Sequence, residues 1–232
     1  MSGTTGRVIA IGDIHGYLTA LDALIEGIRP RAEDTIVALG DFVDRGPQSP
    51  EVIDRLIEVA RRCRLVPILG NHDELLLAIC EGHQYVMEDW LLFGGDTTFR
   101  SYDRRVPESV PDEHVAFLKS CRDLYETDTH FFVHGNYIER IPLDEQQPMV
   151  LRWRSLREEP PGPHVSGKIA VVGHTAQRDG EILDLGHLKC IDTYIYGDGW
   201  LTALDVESGR VWQVDQEGRP REGLGPITSS PR

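Results

Sequence analysis

Apolar positions in the first third of the chain alternate between two spacings. Residues 7–11 (RVIAI), 35–39 (TIVAL) and 65–69 (LVPIL) are short apolar runs, the pattern of strands covered on both faces. Between them, residues 17–28 (YLTALDALIEGI) repeat apolar side chains three and four apart, which predicts an amphipathic helix. Ser49-Pro50 reads as an N-cap followed by proline at the first helical position, opening a second helix to about Arg62. A third helix is predicted over 72–81. The order β-α-β-α-β-α implies parallel strands with covering helices.

Residues 84–123 break this rhythm. They carry Trp90, Gly94, Gly95 and a helical stretch over 111–122, and read as an insertion that packs over or beside a site built by the flanking strands. From Thr129 onward the pattern turns to β, with runs at 131–133, 169–172, 181–185, 188–191, 200–206 and 210–214. Arg178-Asp179-Gly180 and Glu207-Ser208-Gly209 are turn signals between them, as in hairpins and a meander. Residues 158–163 (EEPPGP) form a loop. One domain is expected over 1–215, followed by a frayed, flexible tail over 216–232 that is rich in Gly, Pro, Ser and Arg.

Composition narrows the field. The 232 residues carry 24 Lys plus Arg against 38 Asp plus Glu, a formal charge of −14. Such a surface repels polyanionic backbones and anionic membranes, so neither nucleic acid nor membrane is an expected partner. Cys63, Cys80, Cys121 and Cys190 show no metal-finger spacing and read as reduced, small hydrophobes. The start of the chain lacks a basic-then-apolar leader, and a soluble, cytoplasmic monomer is expected.

The chemistry sits at the strand ends. Asp13 and His15 follow the first strand in GDIHG; Asp41 and Asp44 follow the second in GDFVDRG; Asn71, His72 and Asp73 follow the third in GNHD. His134-Gly135 and Gly173-His174-Thr175 follow two of the later strands. In open α/β sheets ligands bind beyond the carboxyl ends of strands, so these segments are placed to meet. Carboxylate, imidazole and amide oxygen suit borderline-to-hard divalent ions. Two such ions clamp phosphate oxygens and acidify a water, and their charge reverses the sign of the field where an anionic substrate docks.

GDIHG, GDFVDRG, GNHD, HG and GHT, in that order over about residues 8–206, resemble PPP-type serine/threonine protein phosphatases of bacteria and phages, within the calcineurin-like phosphoesterase superfamily. The resemblance implies a four-layer α/β/β/α sandwich with two central mixed sheets. It implies that Asp13 and His15 hold a first metal, that Asp41 bridges, and that Asn71, His134 and His174 hold a second. His72 would be the general acid, oriented by Asp44, while Arg45 binds phosphate and Asn71 also faces substrate. The pair would be two divalent ions, Mn2+ first, with Fe, Zn, Co, Ni and Mg as alternatives.

A second phosphate arginine is expected from Leu151-Arg152-Trp153-Arg154, which resembles a Leu-Trp-x-Arg element of the family; Arg154 is preferred, with Arg152 as substitute. Asp192, in an Asp-Thr-Tyr where relatives often carry Asp-Thr-Gly, is expected either to hydrogen-bond a ligand histidine or to serve as a turn residue. The implied activity is hydrolysis of phosphoserine or phosphothreonine in proteins, with phosphotyrosine and small phosphomonoesters also accommodated, through attack by a metal-bound hydroxide. Arg45-Gly46-Pro47-Gln48-Ser49 and Leu69-Gly70-Asn71-His72-Asp73 equally resemble symmetrical diadenosine tetraphosphate hydrolases, which usually lack an acid at position 44. A catalytically silent phosphate-binding protein is the third alternative.

Overall fold

The computed structural model describes residues 6–223. The first half of the chain forms β1 (Val8–Ile11), α1 (Leu18–Ile28), β2 (Thr35–Ala38), α2 (Ser49–Ala60), β3 (Arg64–Pro67) and α3 (Asn71–Cys80). The insertion follows as α4 (Met87–Trp90), a π-helical turn at Leu91–Gly95, α5 (Asp96–Ser101) and α6 (Asp112–Ser120). The second half supplies β4 (Tyr125–Glu126), β5 (His130–Phe132), α7 (Pro148–Trp153), β6 (Ile169–Val172), β7 (Leu183–Asp184), β8 (Leu188–Cys190), β9 (Leu201–Asp205) and β10 (Val211–Val214).

Two mixed sheets result, ordered β10-β9-β1-β2-β3 and β4-β5-β6-β8-β7. Strands β1, β2 and β3 are parallel, with β9 and β10 added antiparallel through a hairpin at Glu207–Gly209. In the second sheet β5, β6 and β8 are parallel and the edge strands β4 and β7 are antiparallel. The meander expected after Thr129 is therefore not formed. Alternation alone does not report strand direction, and the long segments between β5 and β6 and between β6 and β8 leave room for the return crossings that parallel pairing requires.

The pleat divides the core. Ala10 of β1, Val37 of β2 and Val66 of β3 face Phe132 of β5 and Val171 of β6, forming the layer between the sheets. One residue over, Ile9, Ile11 and Ile36 face Leu21, Leu24 and Ile28 of α1 and Val52, Ile53 and Leu56 of α2. On the outer face of the second sheet Phe131, Ala170 and Val172 pack with Tyr137, Leu151 and Leu156. Each central strand is thus covered on both sides, which explains why its sequence reads as a continuous apolar run. The two-residue β4 and the six-residue α7 are too short to leave a periodic signature, and the sequence reading missed both, along with α4 and α5.

Gln216 packs back on the domain. Its side-chain amide donates to the carbonyls of Ile195 (2.8 Å) and Gly197 (3.0 Å), and Arg221 donates to Gly180 and Gln213. The rest of the expected tail, 224–232, lies outside the described residues. Among the described residues no helix is long and apolar enough to cross a membrane.

Candidate metal centre

The carboxyl ends of β1, β2, β3, β5 and β6 open on one place, where the two sheets face each other. Asp13, His15, Asp41, Asn71 and His134 are buried there, and His174 is nearly so. The turns that deliver them are bent hard. His15, Asp41, Asp44, Arg45 and His174 all adopt left-handed backbone, with φ of 48°, 48°, 72°, 68° and 62°, a conformation that non-glycine residues rarely take. Strain gathered at one spot is a mark of a working site. A Cβ on Gly173 would collide with Asp13 Oδ1, and one on Gly70 with Asp41 Oδ1, so glycine is what lets backbone approach these carboxylates.

Asp41 is the hinge of the arrangement. Its Oδ2 faces His15 Nε2 at 3.7 Å and His72 Nε2 at 3.9 Å, while its Oδ1 faces His134 Nε2 at 3.4 Å. Two groups with metal-ligand spacing follow, His15–Asp41–His72 and Asp41–His134–His174, and Asp41 belongs to both.

Hydrogen bonds fix which imidazole nitrogens are bare. His15 Nδ1 donates to Val43 O (3.0 Å), His134 Nδ1 to Leu39 O (2.7 Å) and His174 Nε2 to Trp153 O (3.1 Å). A carbonyl only accepts, so in each neutral ring the other nitrogen carries a lone pair. Those lone pairs converge: His134 Nε2 and His174 Nδ1 lie 3.0 and 2.9 Å from Asn71 Oδ1. Acceptors facing acceptors are held together by a cation or by an added proton. Burial pushes His134 down, but the Asp41 carboxylate beside it more than reverses this and raises it to about 10. Burial, with His134 next to it, drives His174 down to about 4. At the other group Arg45 donates Nη1 to His15 Nε2 (2.6 Å) and Nη2 to His72 Nε2 (2.9 Å), so both nitrogens already serve a positive charge.

The carboxylates make the same demand. Burial and then the neighbouring Asp192 push Asp13 well above the usual range, although its oxygens accept the His174 N–H at 3.2 and 3.0 Å. Asp192 itself is raised by burial to about 6. Its Oδ1 accepts the Tyr194 N–H at 3.1 Å and its Oδ2 has no hydrogen-bond partner among the described residues, so it bonds no ligand histidine. So many buried acids beside bare imidazole nitrogens form a donor set that fits two divalent cations.

His72 stands at the start of α3 and donates Nδ1 to Asp44 Oδ2 at 2.7 Å, leaving Nε2 turned toward the centre. Asp44 is fully buried and is held by groups that the sequence reading did not identify. Trp90 Nε1 donates to both its oxygens, and Thr98 Oγ1 accepts its backbone N–H at 2.9 Å. Burial raises Asp44, and the His72 hydrogen bond works against that rise. Arg45 lies over the Tyr196 ring at 4.0 Å, and Tyr196 stands edge-on to His15. Asp73 ties the second and third loops together, accepting the N–H groups of Phe42 (2.9 Å) and Gly70 (3.1 Å). Its place at the third position of α3 is a capping signal visible in the sequence, whereas Trp90, Thr98 and Tyr196 leave no local signal.

Both candidate second arginines are paired with acids, beside Trp153, whose carbonyl bonds His174. Arg154 pairs with Glu159 at 2.7 Å, and Arg152 is clamped between Glu74 and Asp123. His114, His130, His164 and His187 bond other groups; His114, for example, bonds Tyr102 and Asp54.

The profile of the family described as "Calcineurin-like phosphoesterase" matches residues 6–203. A protein of Thioalkalivibrio sulfidiphilus named bis(5'-nucleosyl)-tetraphosphatase, symmetrical, is 40% identical over 162 residues, covering 60% of this chain and 58% of the relative. One of the same name in Janthinobacterium sp. is 33% identical over 132 residues, covering 56% and 43%. The chain thus spans about half the length of these relatives. Among solved structures, a candidate diadenosine tetraphosphatase superposes with a TM-score of 0.69 at 21% identity, covering 96% of this chain and 97% of the other. A cold-active protein-tyrosine phosphatase of a psychrophilic Shewanella species gives 0.68 at 18%, covering 94% and 80%. At such identities the two structures speak to fold alone.

Proposed function

The chain belongs to the calcineurin-like phosphoesterase family, and from that premise we propose that it is a two-metal hydrolase of dinucleoside polyphosphates, cutting a symmetrical tetraphosphate at its middle into two nucleoside diphosphates. The observation that carries the two-metal reading is the division of Asp41, one oxygen toward each set of histidine nitrogens. The substrate class rests on the named relatives and replaces the phosphoprotein expected from the motifs.

Asp13, His15 and Asp41 would hold one divalent ion, and Asp41, Asn71, His134 and His174 the other. When bound, such ions neutralise phosphate oxygens and acidify a water. The chain's own side chains do the rest. The backbone carbonyls of Val43, Leu39 and Trp153 keep each ligand nitrogen bare and aimed. Arg45 forks onto phosphate oxygens and holds the group under attack in line. The attacking water adds its oxygen to phosphorus, and the bond to the bridging oxygen breaks. His72, oriented by Asp44 through Nδ1, would take up a proton at Nε2 once Arg45 turns to phosphate, and pass it to the departing oxygen.

A phosphomonoesterase is the second reading, and the His72–Asp44 pair favours it. An alkoxide leaving group needs a proton, while a nucleoside diphosphate leaves readily without one. Purified protein supplied with Mn2+ would be offered diadenosine tetraphosphate and a phosphoserine peptide in parallel, with products resolved by anion exchange. Adenosine diphosphate as sole nucleotide product supports the first reading. Phosphate released only from the peptide replaces it with the second. Inertness toward both under each candidate metal removes both.

A further inference from the structure

Beyond His174 the chain runs along the wall of a cleft of about 630 Å3, lined among others by Leu156, Arg157, Thr175, Gln177, Arg178 and Leu183. We propose that this cleft is the subsite for the part of the substrate that is not attacked, its distal phosphate and nucleoside, with Arg178 as the phosphate contact. The inference rests on the dinucleoside polyphosphate reading.

A ladder of two guanidiniums flanking two aromatic rings leads there from the metal centre. The Arg45 guanidinium lies 4.0 Å over Tyr196, Tyr196 meets Tyr194 edge-on at 4.6 Å, and Arg178 stands over Tyr194 at 5.8 Å. The rings hold the two guanidiniums in place, and each guanidinium offers N–H groups to phosphate. Tyr194 holds left-handed backbone, φ 71°, which non-glycine residues rarely adopt. A bulky side chain kept in a strained conformation beside the site points to use.

The walls are set for an anion. Thr175 Oγ1 accepts the Leu156 N–H at 2.9 Å and so locks the two sides together, while Arg157 Nη2 donates to Ala176 O at 2.6 Å. Among the described residues neither Arg157 nor Arg178 has a carboxylate within ion-pair distance, in a chain whose formal charge is −14. The acid within the cleft wall, Asp179, turns its Oδ1 to its own Glu181 N–H at 3.1 Å. Arg178 follows His174 by four residues, which bounds their Cα separation at about 14 Å. That distance is within reach of an extended polyphosphate chain.

The test uses the whole protein and three probes: diadenosine tetraphosphate, p-nitrophenyl phosphate and adenosine diphosphate, the last titrated calorimetrically. In Arg178→Ala, KM for the dinucleotide should rise about tenfold with kcat within about twofold, as for loss of one charge-assisted contact. Adenosine diphosphate should weaken by a similar factor, and KM for p-nitrophenyl phosphate should not move. Tyr194→Gly relieves the backbone strain, so it should weaken the nucleotide probes without lowering the melting temperature. Unchanged dinucleotide KM in Arg178→Ala, or equal loss on all three probes, overturns the subsite. Failure of the wild type to cleave the dinucleotide, with adenosine diphosphate binding still weakened by Arg178→Ala, removes the proposed reaction and leaves a nucleotide subsite standing.

Discussion

Trp90 donates its indole N–H to both carboxylate oxygens of Asp44, at 2.9 and 3.1 Å, and so reaches from the insertion into the proton-handling pair of the site. Both side chains are fully buried. The same segment passes Gly94 O to the Arg45 N–H at 3.0 Å and Thr98 Oγ1 to the Asp44 N–H. The insertion therefore sets the orientation of two residues that lie in the loop after β2, and does so without contributing a metal ligand.

Trp90→Phe keeps the ring packing and deletes the donor. Removing a hydrogen bond to a buried charge costs about 1.5–3 kcal/mol, so the denaturant midpoint should fall at constant m-value. Activity should fall about tenfold on an alkyl phosphate and much less on p-nitrophenyl phosphate, since only the first depends on proton delivery. Equal activity on the alkyl ester would show that Asp44 keeps its orientation without the indole.

His72→Asn examines the same proton from its other end. The rate on an alkyl phosphate should drop about 100- to 10,000-fold, the usual scale for losing a positioned acid, with a smaller drop on an aryl phosphate or a dinucleotide. Uniform loss across leaving groups would assign His72 to holding charge or metal instead, which its 3.9 Å separation from Asp41 Oδ2 also allows geometrically.

The contrast between these residues explains what could be read from the sequence. Strand ends were legible because a buried parallel strand must be apolar and must then stop, so Asp13, Asp41, Asn71, His134 and His174 stood out as polar residues following apolar runs. Their convergence depends only on strand direction. The residues that hold the site were not legible, because Trp90 lies 46 positions from Asp44, and Tyr196 reaches Arg45 across a loop. Side-chain contacts of that range leave no period in the sequence. Leu151-Arg152-Trp153-Arg154 shows a related limit: its arginines fit an anion site by composition, while the acids they pair with, Glu74, Asp123 and Glu159, cannot be read from that stretch. Alternation likewise predicted β structure after Thr129 without revealing that β5, β6 and β8 run parallel.

Asp41→Asn should lower affinity at both cation positions together, because each oxygen serves a different histidine set. Calorimetric titration with Mn2+ should show two sites in the wild type and a loss exceeding about 100-fold at both in the variant, beyond the 10- to 100-fold expected for a residue that merely supports a ligand. Saturating Mn2+ should add about 2.7 kcal/mol of stability for each site filled to 100 times its Kd, and chelation should reverse it. Retention of one full-affinity site in Asp41→Asn would mean that the carboxylate serves a single ion.

Away from the centre, Asp34 gives the fold a predictable response to acid. Its carboxylate is buried and accepts Arg7 Nη2 at 2.6 Å, Arg31 Nη2 at 3.0 Å and the backbone N–H groups of both residues, pinning the turn before β2 to the start of β1. Burial alone would raise its pKa, but these partners hold it well below the usual carboxylate range. The folded value lies below the unfolded one, near 3.9, so the ionised form stabilises the fold above that pH and the contribution fades as pH falls toward the folded value. Asp34→Asn should therefore lose about 1.5–3 kcal/mol at pH 7, from the charged hydrogen bonds given up. The gap between variant and wild type, measured by urea unfolding, should narrow steadily below about pH 4. A gap that stays constant down to pH 2.5 would assign the loss to packing rather than to the carboxylate's charge.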